Sequence, residues 1–301
     1  IPEGAPLSKV EATRSYGANV VLVPGVYDDA YNEACRLRDE KGLTFIHPFN
    51  DYHVMAGQGT IGLEILQQLP DVDVILVPIG GGGLISGVAC AIKSLKPECK
   101  VYGVQAAGAP SMKQSLQHKK IEKLASVATM ADGIAVKEPG DLTFEACTKY
   151  VDGVVTVTED EIASAILLLL EKHKMVAEGA GAVSVAAAMT NKVDIAGKNV
   201  VCVISGGNVD VNVLDRIIDK GLQHNGRIAE FSVTMADKPG QLIQMMKVIS
   251  ETGVNILEVS HDRRAKGVAV SNVVVNVAVE TRNKAHYEEM VAALNANGYM
   301  I

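Results

Sequence analysis

Apolar and polar positions along the chain switch between helical and strand-like periods, and the switches mark its elements. Ser8 to Tyr16 and Asp28 to Glu40 carry helical spacing, while Asn19 to Val23 and Thr44 to Ile46 read as short extended segments. A helix is predicted over Thr60–Leu69, ending ahead of Pro70. Val72 to Pro78 is a continuous apolar run, the mark of a strand buried on both faces. Next come a helix from Leu84 to Leu95 and strands at Val101–Val104 and Val154–Val157. The last strand feeds a helix that opens with Thr158 and Glu161 three apart, the spacing of a capping box. A small-residue helix over Ala180–Met189 then leads to a strand at Asn199–Ile204. Strands and helices in alternation imply an α/β fold, with a mostly parallel sheet and flanking helices.

The pattern changes near Lys220–Arg227. Beyond it the spacing predicts a strand (Ile228–Thr234), a turn at Asp237-Lys238-Pro239-Gly240 and a helix (Gln241–Glu251). Strands at Val254–Ser260 and Val268–Val279, a helix at Lys284–Asn297 and the opening of a last strand at Tyr299 follow. Val273, Val275, Val277 and Val279 share one face by period-two alternation. This order is βαββαβ, a small ferredoxin-like domain.

Composition narrows the function. A net charge of −7 and a pI near 5.5 argue against a nucleic-acid partner, which would need a basic patch. The longest apolar run, Ile162 to Leu170, is too short to cross a bilayer, so no membrane partner is expected. The opening residues lack the basic and apolar regions of a signal peptide, and begin on a loop-like Pro2–Pro6 stretch without an initiator Met. Cys35, Cys90, Cys99, Cys147 and Cys202 are odd in number and form no C-x-x-C pair, which points to reduced thiols in the cytoplasm. The histidines form no H-E-x-x-H or other close ligand pair, so no metal centre is expected from them.

The stretch with most chemical content is Gly80-Gly81-Gly82-Gly83, directly after the apolar strand. Four glycines lose much backbone freedom on folding, so bare backbone must serve a purpose there. A strand, a glycine turn and a helix N-terminus together form an anion site. A Walker A loop fails, because Gly82 and Gly87 are followed by Val88-Ala89 and not by Lys-Ser/Thr. A dinucleotide fingerprint fails too: counting from Gly80 or Gly81, the third glycine position holds Ile85 or Ser86. A single small phosphate remains, against the plain alternative of a tight turn without a ligand.

PIGGGGLISG (78–87) and VCVISGGNVD (201–210), with ADGIAV, VTEDEI and EGAGAVSVAA between them in that order, resemble the serine/threonine dehydratase group of pyridoxal-phosphate lyases, fold type II. The segment holding DKPGQL (237–242) is similar to an ACT domain, as carried by threonine dehydratases of the shorter type. The likeness covers essentially the whole chain. It implies a remnant of a small α/β domain at 1–48, a large pyridoxal-phosphate-binding α/β domain at 49–222, and an ACT regulatory domain at 226–301. The implied cofactor is pyridoxal 5′-phosphate, its phosphate cupped by Gly80, Gly81, Gly82, Gly83 and Leu84. Ser205 would give its hydroxyl to the pyridine nitrogen; outside this setting it would read as a turn serine. A neutral hydroxyl there makes a weaker electron sink than an Asp, which suits loss of a β-hydroxyl. Glu178 falls where the family places an active-site carboxylate, and reads equally well as an acid favoured by a helix N-terminus. Gln105, Ala109 and Ser111 fall where some relatives bind a divalent cation through carboxylates. Gln and Ser bring no charge, which disfavours a divalent ion and leaves a monovalent one held by carbonyls open. Asp237, Gly240, Gln241 and Leu242 would take an allosteric amino acid between paired ACT domains, or form a plain β–α turn.

The implied activity is deamination of L-threonine, and of L-serine, to a 2-oxo acid and ammonia, in a cytoplasmic homodimer or homotetramer under ACT control. Isoleucine is the natural effector for a biosynthetic enzyme, and a nucleotide for a catabolic one. The family's Schiff-base lysine, in an S-x-K-x-R-G stretch, is missing: Ser94-Leu95-Lys96 and Ser111-Met112-Lys113 continue differently and follow the glycine run. The chain is therefore expected to lack the N-terminal segment of such an enzyme and to be inactive as it stands. The alternative is a non-catalytic protein that binds an amino acid through its ACT domain and keeps the rest as scaffold.

Overall fold

Four parallel strands organise the first two thirds of the molecule: β1 (Val74–Pro78), β2 (Lys100–Ala106), β3 (Gly153–Val157) and β4 (Val200–Cys202), in the order β3-β2-β1-β4. The computed structural model describes residues 1–5, 7–25 and 27–301, so Pro6, the end of the loop-like opening, lies outside the described residues. All five residues of β1 are buried, as its unbroken apolar run requires. Its side chains alternate between two layers. Ile75 and Val77 join a core with Ile85, Val88 and Ile92, while Val74 and Leu76 join one with Ile162, Ile166 and Val183.

Nine helices of the described chain surround or precede this sheet: α1 (Leu7–Ser15), α2 (Tyr27–Lys41), α3 (Tyr52–Gln68), α4 (Gly83–Leu95), α5 (Ser111–His118), α6 (Asp141–Tyr150), α7 (Glu159–Leu168), α8 (Gly179–Met189) and α9 (Val211–His224). The capping box forms: the Glu161 amide donates to Thr158 Oγ1 at 3.3 Å, and the Thr158 amide donates to Glu161 Oε2 at 2.7 Å.

Several boundaries differ from expectation. α3 begins at Tyr52 and not Thr60, capped by Asp51, whose carboxylate accepts the amides of His53 and Val54. Two glycines in its first turns weaken the local helical signal. Packing overrides that weakness: a Cβ on Gly87 of α4 would lie 2.1 Å from the Met55 carbonyl of α3, so only bare backbone lets the two helices touch. Asn19–Val23 and Thr44–Ile46 form no strand, and among the described residues the first makes only an isolated bridge, Pro2 to Val23. An extended segment without a partner does not become sheet. β4 is shorter than Asn199–Ile204.

A second sheet follows, antiparallel, of β5 (Ile228–Ala236), β6 (Asn255–Asp262) and β7 (Asn272–Glu280) in the order β5-β7-β6. Helices α10 (Gln241–Glu251) and α11 (Lys284–Ala296) belong to this unit. Val273, Val275, Val277 and Val279 are all buried, packed with Met245, Ile249, Met290 and Leu294 of the two helices. β7 starts at Asn272, later than Val268, and Tyr299 lies outside the sheet, so the described order is βαββα.

The junction between the units is short. α9 packs on α7, where a Cβ on Gly221 would come 3.1 Å from the Ala163 carbonyl. Only Asn225–Arg227 separate α9 from β5. Arg227 pairs with Glu171 at 2.5 Å, and the Thr281 hydroxyl donates to the Gly226 carbonyl.

Candidate functional site

The buried strand β1 delivers the chain to a cleft of about 890 Å³ at its C-terminal end, the end where open parallel sheets bind ligands. The Ile79 amide still bonds to the Val104 carbonyl at 2.8 Å. After it, no acceptor among the described residues takes the amides of Gly80, Gly81, Gly82, Gly83 or Leu84. Gly81, Gly82 and Gly83 are nevertheless buried. Orphaned buried amides at a helix start are costly unless an anion satisfies them. Gly82 caps α4 with φ 101°, a left-handed conformation that favours glycine. A Cβ on Gly81 would lie 2.4 Å from Phe49 Cγ, and one on Gly82 would lie 2.8 Å from Thr143 Cβ. The run is therefore a cradle enclosed on its outer side, with a size and donor set that fit one phosphate.

The enclosing wall comes from residues far away in sequence. His47 Nδ1 accepts the amides of Asn50 at 2.8 Å and Phe49 at 3.2 Å, folding a turn that sets the Phe49 ring against the glycines. The His47 and Phe49 rings meet edge to face, with centroids 4.7 Å apart. Burial holds the His47 imidazole below its ordinary pKa, with Asp51 and Asp141 pulling the other way. The Asn50 amide donates to Asp141 Oδ1 at 2.7 Å, and its carbonyl oxygen accepts the Leu142 amide at 3.1 Å. The bond from Asn50 leads the causes that hold the Asp141 carboxyl below the usual carboxylate range. Thr143 Oγ1 reaches the Gly81 carbonyl at 2.6 Å. Phe49, Asn50 and Thr143 were not among the residues expected from sequence. Their signal is weak, since nothing local announces contacts made across tens of positions, 62 for Thr143 and 92 for Asn50.

The expected residues divide into those at the cleft and those away from it. Ser205 lines the cleft just beyond β4, and so does Glu178. Glu178 starts α8 without capping it by its side chain, and its backbone amide bonds to the Gly206 carbonyl at 3.1 Å. A Cβ on Gly206 would lie 2.2 Å from Glu178 Oε1, so the carboxylate and the Ser205 turn are neighbours. Lys123 and Lys137 also reach the cleft wall.

Gln105, Ala109 and Ser111 are buried together beyond the cleft lining. Gln105 is engaged in the fold: it accepts the Lys113 amide at 2.9 Å and donates to the Ile79 carbonyl at 3.4 Å. Among the described residues Ser111 Oγ has no hydrogen-bond partner. Among the described residues no group of three or more His, Cys, Asp or Glu gathers.

Asp237, Gly240, Gln241 and Leu242 line a smaller hollow of about 290 Å³ at the start of α10. Gly240 caps that helix with φ 90°. Two residues not foreseen join them, His261 and Arg263. Arg263 grips Asp237 with both arms, Nε to Oδ2 at 2.6 Å and Nη2 to Oδ1 at 3.1 Å, which holds the carboxyl below its usual range.

Comparison with known proteins finds two families along the chain. Residues 1–206 match the family described as pyridoxal-phosphate dependent enzyme, and residues 223–298 match the ACT domain. An L-threonine ammonia-lyase of Thermotoga maritima is 53% identical over 301 residues, covering 100% of this chain and 75% of that protein. One from Geobacter sulfurreducens is 48% identical over 302 residues, with the same coverage, 100% and 75%. Among solved structures, the processed form of threonine deaminase isoform 2 from Solanum lycopersicum superposes with a TM-score of 0.69 at 39% identity, over 73% of this chain and 61% of that one. Maize serine racemase gives 0.68 at 36%, over 75% and 70%.

Proposed function

Since the chain belongs to the pyridoxal-phosphate dependent enzymes and carries an ACT domain, we propose that it serves the ammonia-lyase reaction on L-threonine, and on L-serine, giving a 2-oxo acid and ammonia. The observation that carries this reading is the cradle: five consecutive amides without protein acceptors, at a helix N-terminus in an enclosed cleft. In this reading Gly80, Gly81, Gly82, Gly83 and Leu84 hold the cofactor's phosphate. Ser205, on the cleft wall, would offer a neutral hydroxyl to the ring nitrogen. When bound, pyridoxal phosphate supplies an electron-withdrawing ring that acidifies the substrate's Cα proton. Glu178, beside the Ser205 turn, adds a carboxylate at the cleft wall. The Phe49 ring and its turn screen the glycines from water. A monovalent cation at Gln105, Ala109 and Ser111 would use backbone carbonyls and the unpartnered Ser111 hydroxyl.

The 301 residues contain no S-x-K-x-R-G stretch, and we infer that by themselves they bind the cofactor without moving the Cα proton. The test is direct. These residues, given pyridoxal phosphate and L-threonine, yield no measurable 2-oxobutanoate. Turnover at an ordinary enzyme rate would overturn that inference.

For the ACT domain we propose an amino-acid effector. The Asp237–Arg263 pair sets one negative and one positive group at the same hollow, the pattern that suits the ammonium and carboxylate of a zwitterion. A nucleotide, with anionic charge alone, would leave Asp237 opposed to it. The edge strand β6 is exposed along nearly all its length, which supports pairing of ACT domains in a homodimer or homotetramer. The five free cysteines support a cytoplasmic setting. No helix among the described residues is long and apolar enough to cross a membrane.

A further inference from the structure

The wall of the cradle is held by one continuous chain of hydrogen bonds, which runs through three segments distant in sequence. It starts at His47 Nδ1, which accepts the Asn50 amide at 2.8 Å. It continues from the Asn50 side chain to both Asp141 Oδ1 and the Leu142 amide in the first turn of α6. One residue further on, Thr143 Oγ1 spans the Gly140 carbonyl at 3.1 Å and the Gly81 carbonyl at 2.6 Å, inside the glycine run itself. Packing leaves little room for slack along this path. A Cβ on Gly140 would lie 2.2 Å from Asn50 Oδ1, and one on Gly83 would lie 2.9 Å from Phe49 Cα.

Resting on the reading of Gly80–Leu84 as a phosphate cradle, we propose that Thr143, Asn50 and neutral His47 are positioning residues that aim the cradle's amides. The physical reason is specific to glycine. A run of four glycines has no side chains to fix its peptide planes, so many orientations compete. Anchoring the Gly81 carbonyl fixes the plane shared with the Gly82 amide, and thereby the direction of that donor. Pre-aimed donors bind an anion without the ordering cost that a loose loop would incur.

His47 adds a pH limit. Its Nδ1 faces two amide donors, so a proton on that nitrogen would oppose both N–H groups and open the turn. The titratable groups facing it are Asp51 and Asp141, with the Tyr31 ring 6.0 Å away. Burial lowers its pKa, so the imidazole is neutral near pH 7 and the chain of bonds is whole. As pH falls through that lowered value, Nδ1 takes up a proton and the wall loosens.

The test uses pyridoxine 5′-phosphate, which has the phosphate but no aldehyde, and follows its binding to the 301-residue chain by calorimetry, with pyridoxine as the control without phosphate. Thr143→Val is expected to weaken binding roughly tenfold, the loss of one buried aligning bond, while Thr143→Ser restores it to within about twofold. Asn50→Ala should behave like Thr143→Val. Circular dichroism establishes that each variant is folded. Below pH 6 the wild type loses affinity faster than His47→Asn, whose Oδ1 accepts the same amides and does not titrate. The phosphate's own second ionisation near pH 6 affects both proteins alike and cancels in the comparison. A folded Thr143→Val that binds as tightly as wild type, or equal pH profiles for wild type and His47→Asn, would overturn the proposal. A wild type that binds pyridoxine 5′-phosphate no better than pyridoxine would instead overturn the cradle on which it rests.

Discussion

The molecule contains two turns of the same local design in opposite surroundings. Each runs from a strand through a glycine in the left-handed region into a helix, Gly82 at φ 101° into α4 and Gly240 at φ 90° into α10. Around Gly82 the side away from the cleft is filled: a Cβ there would meet Met112 and Thr143 at 2.8 Å. Around Gly240 a Cβ would meet nothing within 4 Å. The first turn is packed and braced before any ligand arrives; the second is open on one side. An enclosed turn suits a group that is held throughout a reaction, whereas an open one suits a ligand that comes and goes or a second copy that completes it. Local sequence chose the shape, and long-range packing chose the use.

The sharpest way to break this comparison is to add a single methyl group to each turn. Gly81→Ala places a Cβ 2.4 Å from the Phe49 ring and should cost about 3 kcal/mol of stability, with roughly a hundredfold loss of pyridoxine 5′-phosphate affinity, by melting and calorimetry. Next in size is the buried His286 of the ACT unit. Its Nε2 lies 2.9 Å from the Thr252 carbonyl at the end of α10, and its Nδ1 accepts the Arg282 amide at 3.2 Å. His286→Ala should remove about 2 kcal/mol. Differential scanning should show the loss in the ACT unit while binding at the cradle persists. Arg263→Ala comes third. Removing the cation from the hollow should weaken binding of the amino acid proposed there, probed with L-isoleucine, roughly tenfold by titration calorimetry, and unchanged affinity would show that the guanidinium does not face that ligand. The smallest effect is Gly240→Ala. With open space around it, only left-handed strain remains, about 1 kcal/mol in melting. A cost at Gly240 as large as that at Gly81 would erase the distinction between the two turns.

Much of this was legible in the residues. The apolar run into four glycines announced a buried strand and a turn into a helix, and α10 lies over Gln241–Glu251 as the spacing indicated. The alternation of Val273 to Val279 put those side chains in the core. What stayed hidden depended on partners distant along the chain. The start of α3 was obscured by Gly57 and Gly59, and the purpose of Gly59 appears only when Gly87 of α4 lies against it. Phe49, Asn50 and Thr143 carry no motif of their own, because their role is to touch backbone that other segments bring near. Arg263 was missed for the same reason, since it meets Asp237 from 26 positions away. Thr44–Ile46 shows the converse failure, where strand-like residues remain coil because no neighbour pairs with them.

The short junction at Asn225–Arg227 has a mechanical consequence. A domain on a long tether can tumble without its neighbour noticing, but here α9 runs almost directly into β5, pinned by the Arg227–Glu171 ion pair and the Thr281–Gly226 bond. Any rotation of the ACT unit must therefore twist α9 like a shaft. Because Gly221 seats that shaft against the backbone of α7, the torque is passed to the helix that leads directly out of β3. A turn of the ACT unit thus acts first on α9 and, through it, on α7.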